Sequence, residues 1–202
     1  EIKFGTINTI ILINAKLAHE TLLEAFMTAT EAKSVALNDL KIPSQYSNGY
    51  ATGTGTDGFC VFSNLESDNK LTNAGKHSKL GELIGQAVIE SVQKAVRKQV
   101  WISPKSQSNV LVRLNRYTLN IHEFYESLDC DKKEFIKLLQ KDMKKQDNVA
   151  ITSSVLNLID EIDCGLIRKE DALMLANKII KENCNSYPIK KLLDYWISYF
   201  IQ

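Results

Sequence analysis

Apolar and polar residues follow one another along the first hundred positions in patterns that predict two strands and two helices. Residues 6–14 and residues 58–63 are short apolar runs rich in β-branched or aromatic side chains, which is typical of buried strands. Residues 17–41 carry apolar side chains at helical spacing and end before Pro43, because the residue before a proline resists the α region. We therefore expect an α/β domain in which helices pack on a mixed sheet, with an α+β arrangement as the alternative.

The helix predicted over residues 78–99 has the clearest pattern in the chain. Ser78 is its predicted N-cap, and Gly81 and Gly85 are spaced so that another backbone would approach that face closely. One continuous apolar stripe runs along it, formed by Leu80, Leu83, Ile84, Ala87, Val88, Ser91, Val92, Ala95 and Val96. A stripe of this kind faces the core in a globular protein.

The second half of the chain changes character after a break at Pro104. A short helix is predicted over residues 109–116, and almost everything from residue 121 to residue 202 has helical spacing. We therefore expect two domains. Residues 1–120 would form the α/β domain, and residues 121–202 would form an all-α region that packs on or beside it as a small helical bundle.

The composition is that of an ordinary globular protein. Of the 202 residues, 44% are hydrophobic and 24% are charged, and the net charge is +1. A charge so close to zero does not recruit nucleic acid, and no apolar stretch reaches the ~20 residues of a membrane-spanning helix. We expect neither nucleic acid nor a membrane as a partner, and the sequence leaves the oligomeric state open.

The cysteines and the chain start bear on the cellular context. Four cysteines lie far apart without a Cys-x-x-Cys pair, at positions Cys60, Cys130, Cys164 and Cys184. This spacing favours reduced thiols and a cytoplasmic location over a disulfide framework or a zinc site. No signal-peptide pattern is present, and the chain opens at Glu1 without an initiator methionine, so we expect it to be a fragment that lacks upstream sequence.

Three polar clusters interrupt these elements. The first, residues 28–34, lies in the middle of a predicted helix, where the large apolar residues stop and threonine has poor helix propensity. The second, residues 51–57 (Ala-Thr-Gly-Thr-Gly-Thr-Asp), crowds hydroxyls and bare amides around Asp57. In the third, residues 75–82, His77 stands at a helix start whose free amides would hold an oxyanion. Taken alone, each cluster also fits a structural interpretation: an exposed helix turn, a glycine-bearing turn or a structural histidine.

Together the clusters supply the groups of acid–base chemistry. The side chains available for proton transfer are Glu31, Asp57, His77 and Glu82, and the cations are Lys33, Lys76 and Lys79. This inventory suits the hydrolysis of an amide or an ester without redox chemistry. Glu31, Asp57 and His77 would also bind a metal ion, but no His-Glu-x-x-His or comparable spacing supports this, so we predict no metal.

Three motifs, in this order and spacing, resemble the adenosylcobinamide amidohydrolase (CbiZ) family. They are residues 28–33 (Thr-Ala-Thr-Glu-Ala-Lys), 51–57 and 77–85 (His-Ser-Lys-Leu-Gly-Glu-Leu-Ile-Gly), with residues 5–8 (Gly-Thr-Ile-Asn) in front. The resemblance covers about residues 5–120. It implies a cobamide salvage enzyme that cleaves the aminopropanol amide of adenosylcobinamide to give adenosylcobyric acid, with the corrinoid as substrate and no further cofactor. Family members usually carry threonines on both sides of the histidine, where this chain has lysine and serine.

The resemblance and the inventory together predict a set of site residues. The predicted catalytic residues are Glu31, Asp57 and His77, and the predicted substrate-binding residues are Thr28, Thr30, Lys33, Thr52, Thr54, Thr56, Lys79 and Glu82. In one mechanism water attacks the amide with Glu31 or Asp57 as the base, and His77, Lys79 or the amides of residues 54–56 hold the oxyanion. In the other, Thr54 or Thr56 is the nucleophile and needs an adjacent base. The competing function is a non-catalytic corrinoid-binding module for transport or delivery.

Overall fold

A computed structural model describes residues 5–117 and 121–201 of the chain, and of Phe200 and Ile201 it describes the backbone alone. The chain divides into two compact units, Glu1–Ser103 and Pro104–Gln202. Along the chain, the boundary between the two units falls directly before Pro104, where the sequence predicts a break. The predicted domain division at residue 120 stays a prediction.

The first unit alternates short parallel strands with two long helices. Its elements are β1 (Asn8–Ile13), β2 (Lys16–Leu17), α1 (His19–Asp39), β3 (Gly58–Ser63), β4 (Lys70–Leu71) and α2 (Lys79–Val100). Strand β1 pairs with β3 in parallel, with Asn8 opposite Gly58, and β2 pairs with β4 in parallel. A β1–α1–β3 crossover of this kind defines an α/β unit, so the predicted class is confirmed.

The strand β1 differs from its prediction, because only one of its faces is buried. Ile10 is 68% exposed and Leu12 is 77% exposed, whereas Ile13 lies in the core. The sheet that β1 and β3 form has two strands within the described residues. The exposed face of this sheet continues across β3, where Phe62 is 54% exposed opposite Leu12. The apolar runs predicted both strands correctly and their full burial wrongly, since no residue of β3 is buried.

The core of the first unit lies where α1 packs on α2. Helix α1 contributes small side chains and α2 contributes branched ones: Ala25, Ala29, Ala32 and Ala36 lie with Ile84, Val88, Val92 and Val96 in one buried cluster. Ser78 caps α2 as predicted, since its hydroxyl accepts a hydrogen bond from the amide of Gly81. A Cβ on Gly81 would lie 2.0 Å from the carbonyl oxygen of Gly75, which confirms the predicted close approach there, whereas Gly85 faces open space.

The apolar stripe of α2 is only half buried. Leu83 is 50% exposed, and Ala87, Ser91 and Ala95 are also exposed. These four residues lie on the side of the stripe that α1 does not cover.

The second unit is helical, as predicted. Its elements are α3 (Pro104–Gln107), α4 (Val110–Leu114), α5 (Ile121–Glu126), α6 (Lys132–Asp142), α7 (Gln146–Asp163), α8 (Lys169–Asn183) and α9 (Tyr187–Ile201). Its core is built around Phe124, Ile159 and Trp196, each at most 1% exposed. Among the helices that the structure describes in either unit, none has the length and apolar character that crossing a bilayer requires.

Candidate functional site

The middle of α1 holds the Thr-Gly loop, which we define as residues 51–57. The ammonium of Lys33 forms an ion pair with the carboxylate of Asp57, and their side chains are 8% and 11% exposed. One residue further along α1, the hydroxyl of Ser34 donates a hydrogen bond to the carbonyl oxygen of Thr52 at 3.1 Å. Two consecutive helix residues therefore fix both ends of the loop. Lys33 also lies over the ring of Phe59, with Nζ 5.3 Å from the ring centroid.

Four donors surround the carboxylate of Asp57. Besides Lys33, they are the amide and the hydroxyl of Thr54 and the amide of Ile7, with the two amides at 3.0 and 3.2 Å. Burial by itself raises the pKa of Asp57, but the hydrogen bonds from Lys33, Thr54 and Ile7 outweigh it and lower the pKa below its ordinary value. Asp57 is therefore an ionised group whose carboxylate accepts several hydrogen bonds and which is protonated only at a lower pH than an ordinary aspartate.

Gly53 is the glycine that this arrangement requires. A Cβ at this position would lie 2.4 Å from the Asp57 carboxylate and 2.8 Å from the Lys33 ammonium. The second glycine of the loop, Gly55, has nothing within 4 Å of such an atom. Gly53 therefore leaves room for the ion pair next to the backbone, whereas packing does not constrain Gly55.

The same helix also holds the segment that precedes α2, which we call the histidine loop (residues 74–78). The hydroxyl of Thr28 donates to the carbonyl oxygen of Ala74 at 3.0 Å, and the amide of Ala74 donates to the carboxylate of Glu24 at 2.9 Å. The ammonium of Lys76 pairs with the carboxylate of Glu31 at 2.7 Å. The three polar clusters of the sequence therefore meet at α1, with the Thr-Gly loop and the histidine loop both bonded to it.

The proton-transfer candidates differ in accessibility. Glu31 and His77 are exposed, and Glu31 binds the residue directly before His77. Asp57, in contrast, is enclosed by its donors. At the start of α2 the exposed Lys79 and Glu82 pair with each other at 2.8 Å, which lowers the pKa of Glu82 through the hydrogen bond and charge of Lys79.

Several predicted substrate-binding hydroxyls form bonds within the protein. Thr28 bonds the histidine loop, Thr30 donates to the carbonyl oxygen of Phe26 at 2.9 Å, and Thr54 donates to Asp57. Thr56 shares a hydrogen bond of 2.6 Å with the hydroxyl of Thr6. The side chain of Thr52 is exposed, while its carbonyl oxygen binds α1.

Sequence reasoning left out three residues that shape this region: Thr6, Glu24 and Ser34. Ser34 stands beside Lys33 in the first polar cluster, and Thr6 lies in the Gly-Thr-Ile-Asn motif, so both carried a signal in the sequence. Glu24 carried none, because its bond to the amide of Ala74 spans 50 positions. Within residues 5–117 and 121–201, no group of three His, Cys, Asp or Glu side chains is placed to hold a metal ion.

The arrangement has the chemical parts of a hydrolytic site: an exposed carboxylate, an exposed imidazole, and a loop of amides and hydroxyls fixed by a buried ion pair. It lies at the amino ends of β1 and β3, since Ile7 and Asp57 directly precede these two strands. Ligand sites in open α/β sheets more often lie at the carboxyl ends. Here the position follows from α1, which crosses between the two strands and presents its middle turns to both loops.

The similarity of this chain to known proteins covers the part that contains the candidate site. Residues 1–104 match the family model described as adenosylcobinamide amidohydrolase (CbiZ). An uncharacterized protein of Methanocaldococcus jannaschii is 41% identical over 98 residues, which are 48% of this chain and 38% of that protein. The adenosylcobinamide amidohydrolase of Methanosarcina mazei is 34% identical over 100 residues, which are 45% of this chain and 46% of that protein. The chain thus spans less than half the length of these curated relatives. No solved structure matches the chain.

Proposed function

Because this chain belongs to the adenosylcobinamide amidohydrolase (CbiZ) family, we propose that it hydrolyses the amide joining aminopropanol to the corrin ring of adenosylcobinamide. Water adds its oxygen to the amide carbon, the carbon–nitrogen bond breaks, and the nitrogen leaves as the amine of aminopropanol after gaining a proton. The other product is adenosylcobyric acid, which cobamide salvage reuses. No electron transfer is involved, in keeping with the residues that the site offers.

The observation that carries this proposal is the meeting of the three family motifs at α1. They are separated by tens of residues in the sequence, yet Lys33 bonds the Thr-Gly loop and Glu31 bonds the histidine loop. Glu31 is exposed on α1, and its partner Lys76 directly precedes the exposed His77, so the contact brings a carboxylate and a segment with an imidazole together. Family membership supplies the reaction class, and this geometry supplies the groups for it.

Glu31 is the base that we assign to the attacking water. It is exposed, it is held by Lys76 at 2.7 Å, and it keeps a second carboxylate oxygen for a water molecule. His77 follows Lys76 in the chain, and we assign it the proton that the leaving nitrogen needs. Positioned acid–base groups of this kind contribute roughly 10²- to 10⁴-fold each to the rate.

Asp57 and Lys33 have a supporting role in this proposal. A general base works best with a pKa near the operating pH, and Asp57 has a lowered pKa and four donors. We therefore assign the ion pair the task of fixing the Thr-Gly loop, whose amides other than that of Thr54, which binds Asp57, would hold the oxyanion. This differs from the sequence-based assignment of Asp57 as a catalytic residue and of Lys33 as a substrate ligand.

The threonine mechanism has one supporting contact. The hydroxyl of Thr54 donates to Asp57, and Asp57 in turn binds Lys33. Thr54 as nucleophile, Asp57 as base and Lys33 as orienting cation are therefore connected by direct contacts. The lowered pKa of Asp57 weakens it as a base for a threonine hydroxyl. Mass spectrometry of quenched reactions decides between the mechanisms, because an acyl adduct on Thr54 is expected only in this one.

Corrinoid binding without cleavage is the second candidate function. The observation that favours it is coverage, since the matched segment makes up 38% and 46% of the two relatives. A module with the Thr-Gly loop and the exposed Lys79 and Glu82 would hold a corrinoid for transport or delivery. Thr52 in the Thr-Gly loop and Lys79 and Glu82 at the start of α2 are exposed, and they are the contacts that we propose in either function.

The test is incubation with adenosylcobinamide, followed by chromatographic separation of the corrinoids. Hydrolysis gives a product with a new carboxylic acid, and one equivalent of free aminopropanol appears with it. Glu31→Gln is expected to lower the rate by at least about 100-fold. The matched control is Glu66→Gln, an exposed glutamate of the same unit that lies in the turn after β3. Binding of the corrinoid without either product would reject hydrolysis and support the binding module.

A further inference from the structure

An apolar groove of about 750 Å³ runs between β1 and α2 in the first unit. Its helix wall includes the exposed half of the α2 stripe, which comprises Leu83, Ala87, Ser91 and Ala95. Its other wall is β1, which at about 3.3 Å per residue is roughly 20 Å long. Small-molecule sites have volumes of about 300–1,000 Å³, so the groove has the size of a site for a bulky ligand.

The strand wall of the groove presents main-chain groups that no described strand pairs. The carbonyl oxygens of Ile7 and Ile13 accept hydrogen bonds from the β3 side at 3.1 and 3.0 Å, so the odd-numbered residues of this strand face β3. Because backbone groups alternate along a strand, the N–H and C=O groups of Asn8, Ile10 and Leu12 point to the opposite edge. Within the part of the chain that the structure describes, β1 pairs with β3 alone.

The groove adjoins both loops of the candidate site. Its strand wall extends to Thr6 and Ile7, which bond Thr56 and Asp57 of the Thr-Gly loop at 2.6 and 3.2 Å. Its helix wall includes Leu80, the second residue of α2, which follows closely after the histidine loop. A ligand whose reacting bond lies at the site therefore has this groove beside it.

We propose that the groove holds the corrin ring of the substrate, with the carboxamide side chains of the ring hydrogen-bonded to the free edge of β1. This inference rests on the proposed function and adds to it the place where the body of the substrate binds. The amide that is cleaved joins aminopropanol to a short side chain of the ring. A substrate with this amide at the site must therefore have its ring directly beside the site, where the groove lies.

The two walls of the groove match the two kinds of surface that a corrin presents. The ring and its methyl groups are apolar and suit the α2 wall, where the small side chains of Ala87, Ser91 and Ala95 leave space for them. Each carboxamide around the ring carries an acceptor oxygen and N–H donors. These groups complement the alternating amides and carbonyls of Ile10 and Leu12, as the backbone of a neighbouring strand would.

Ala87→Arg tests the groove by placing a long charged side chain on its helix wall. Hydrolysis of adenosylcobinamide is followed through the released aminopropanol. We expect KM to rise at least about tenfold while kcat stays within about twofold, because the variant removes a binding contact and leaves the reacting groups in place. Leu65→Arg is the matched control, since it adds the same side chain at a 66% exposed leucine of the same unit outside the groove. Ala87→Ser adds a single oxygen and should behave as the parent chain does.

Amide exchange followed by NMR measures binding to the groove directly. It is recorded on Glu31→Gln with and without adenosylcobinamide, so that the corrinoid is not consumed. Exchange at Ile10, Leu12 or both should slow at least about tenfold, whereas Thr9 and Ile11, which face β3, should change less. Protection of the buried helix α2 in the same spectra verifies that Ala87→Arg folds.

The two measurements separate this inference from hydrolysis. Slowed exchange at Ile10 or Leu12 without any product would support the groove and reject hydrolysis. Product formation with an unchanged KM in Ala87→Arg, or without slowed exchange at either amide, would overturn the groove and leave hydrolysis standing. The inference also fails if the corrinoid does not bind. It fails as well if exchange at these amides slows only as the protein concentration rises, because a second copy of this chain would then cover the edge.

Discussion

Replacing Lys33 by methionine would leave the Asp57 carboxylate in the protein interior without its cation. The two side chains are 8% and 11% exposed, so solvent does not substitute for the lost partner. Methionine keeps most of the apolar stem that packs near Phe59. Removing one member of a buried ion pair costs about 3–5 kcal/mol. Asp57 keeps the hydrogen bonds from Thr54 and Ile7, so we expect the lower end, about 3 kcal/mol of the free energy of unfolding.

The double variant Lys33→Met/Asp57→Asn isolates the pair. It leaves no buried charge, and the asparagine oxygen still accepts a hydrogen bond from one of the two amides, since Thr54 and Ile7 donate to different oxygens of the Asp57 carboxylate. We therefore expect a double-mutant cycle to show a coupling energy of about 1–3 kcal/mol. Lys76→Met is the matched control, because Lys76 also pairs with a carboxylate but is 66% exposed. Its effect on the free energy of unfolding should stay within about 0.5 kcal/mol.

Native-state amide exchange is the assay, because it reports each unit of the chain separately. Amides of α1, such as those of Ala29 and Ala32, should lose protection in Lys33→Met. Amides of Leu192 and Trp196 in the second unit serve as the internal reference. A loss under about 1 kcal/mol at α1, or single-variant costs that simply add in the double variant, would refute the reasoning that this ion pair holds the first unit together.

Three further predictions concern the same unit, and amide exchange checks each of them. The lowered pKa of Asp57 means that its stabilisation is complete above the unfolded value of 3.8 and is lost as the pH falls through the lower folded value; Asp57→Asn should remove this acid-dependent part. Gly53→Ala forces a Cβ against the ion pair and should cost about 1–3 kcal/mol, while Gly55→Ala should stay within about 0.5 kcal/mol. Gly81→Ala should destabilise the unit because its Cβ meets the backbone of Gly75, whereas Gly85→Ala should stabilise α2 by about 0.5–1 kcal/mol.

The sequence predicted the elements of the first unit well, because hydrophobic periodicity and caps are local signals. Residues 58–63 form β3 with the predicted bounds, and α2 begins directly after its predicted cap, Ser78. The burial of β1 was not predictable in the same way. An apolar run indicates a strand, but the number of strands and helices that cover it depends on the whole fold. Ile10 and Leu12 are exposed for this reason.

The motifs of the candidate site could be predicted from the sequence, but the contacts between their side chains could not. The poor helix propensity around Thr28 and the Gly-Thr alternation before Asp57 both marked positions that the structure brings to α1. The sequence could not show that Lys33 and Asp57 neutralise each other, because 24 positions separate them. Nor could it show which glycine of the loop is constrained. Gly53 and Gly55 look equivalent in the sequence and differ only in what a Cβ would meet.

The hydrogen bonds from α1 to the Thr-Gly loop and the histidine loop have an evolutionary consequence. Ser34 binds the carbonyl oxygen of Thr52, and Thr28 and Glu24 bind the main chain of Ala74. These anchors recognise main-chain atoms, which every amino acid provides. Loop side chains such as those of Thr52 and Lys76 can therefore be exchanged during divergence while the loops keep their position. Within such a lineage, we expect ligand preference to change through loop substitutions, whereas we expect the anchoring residues of the helix to change slowly.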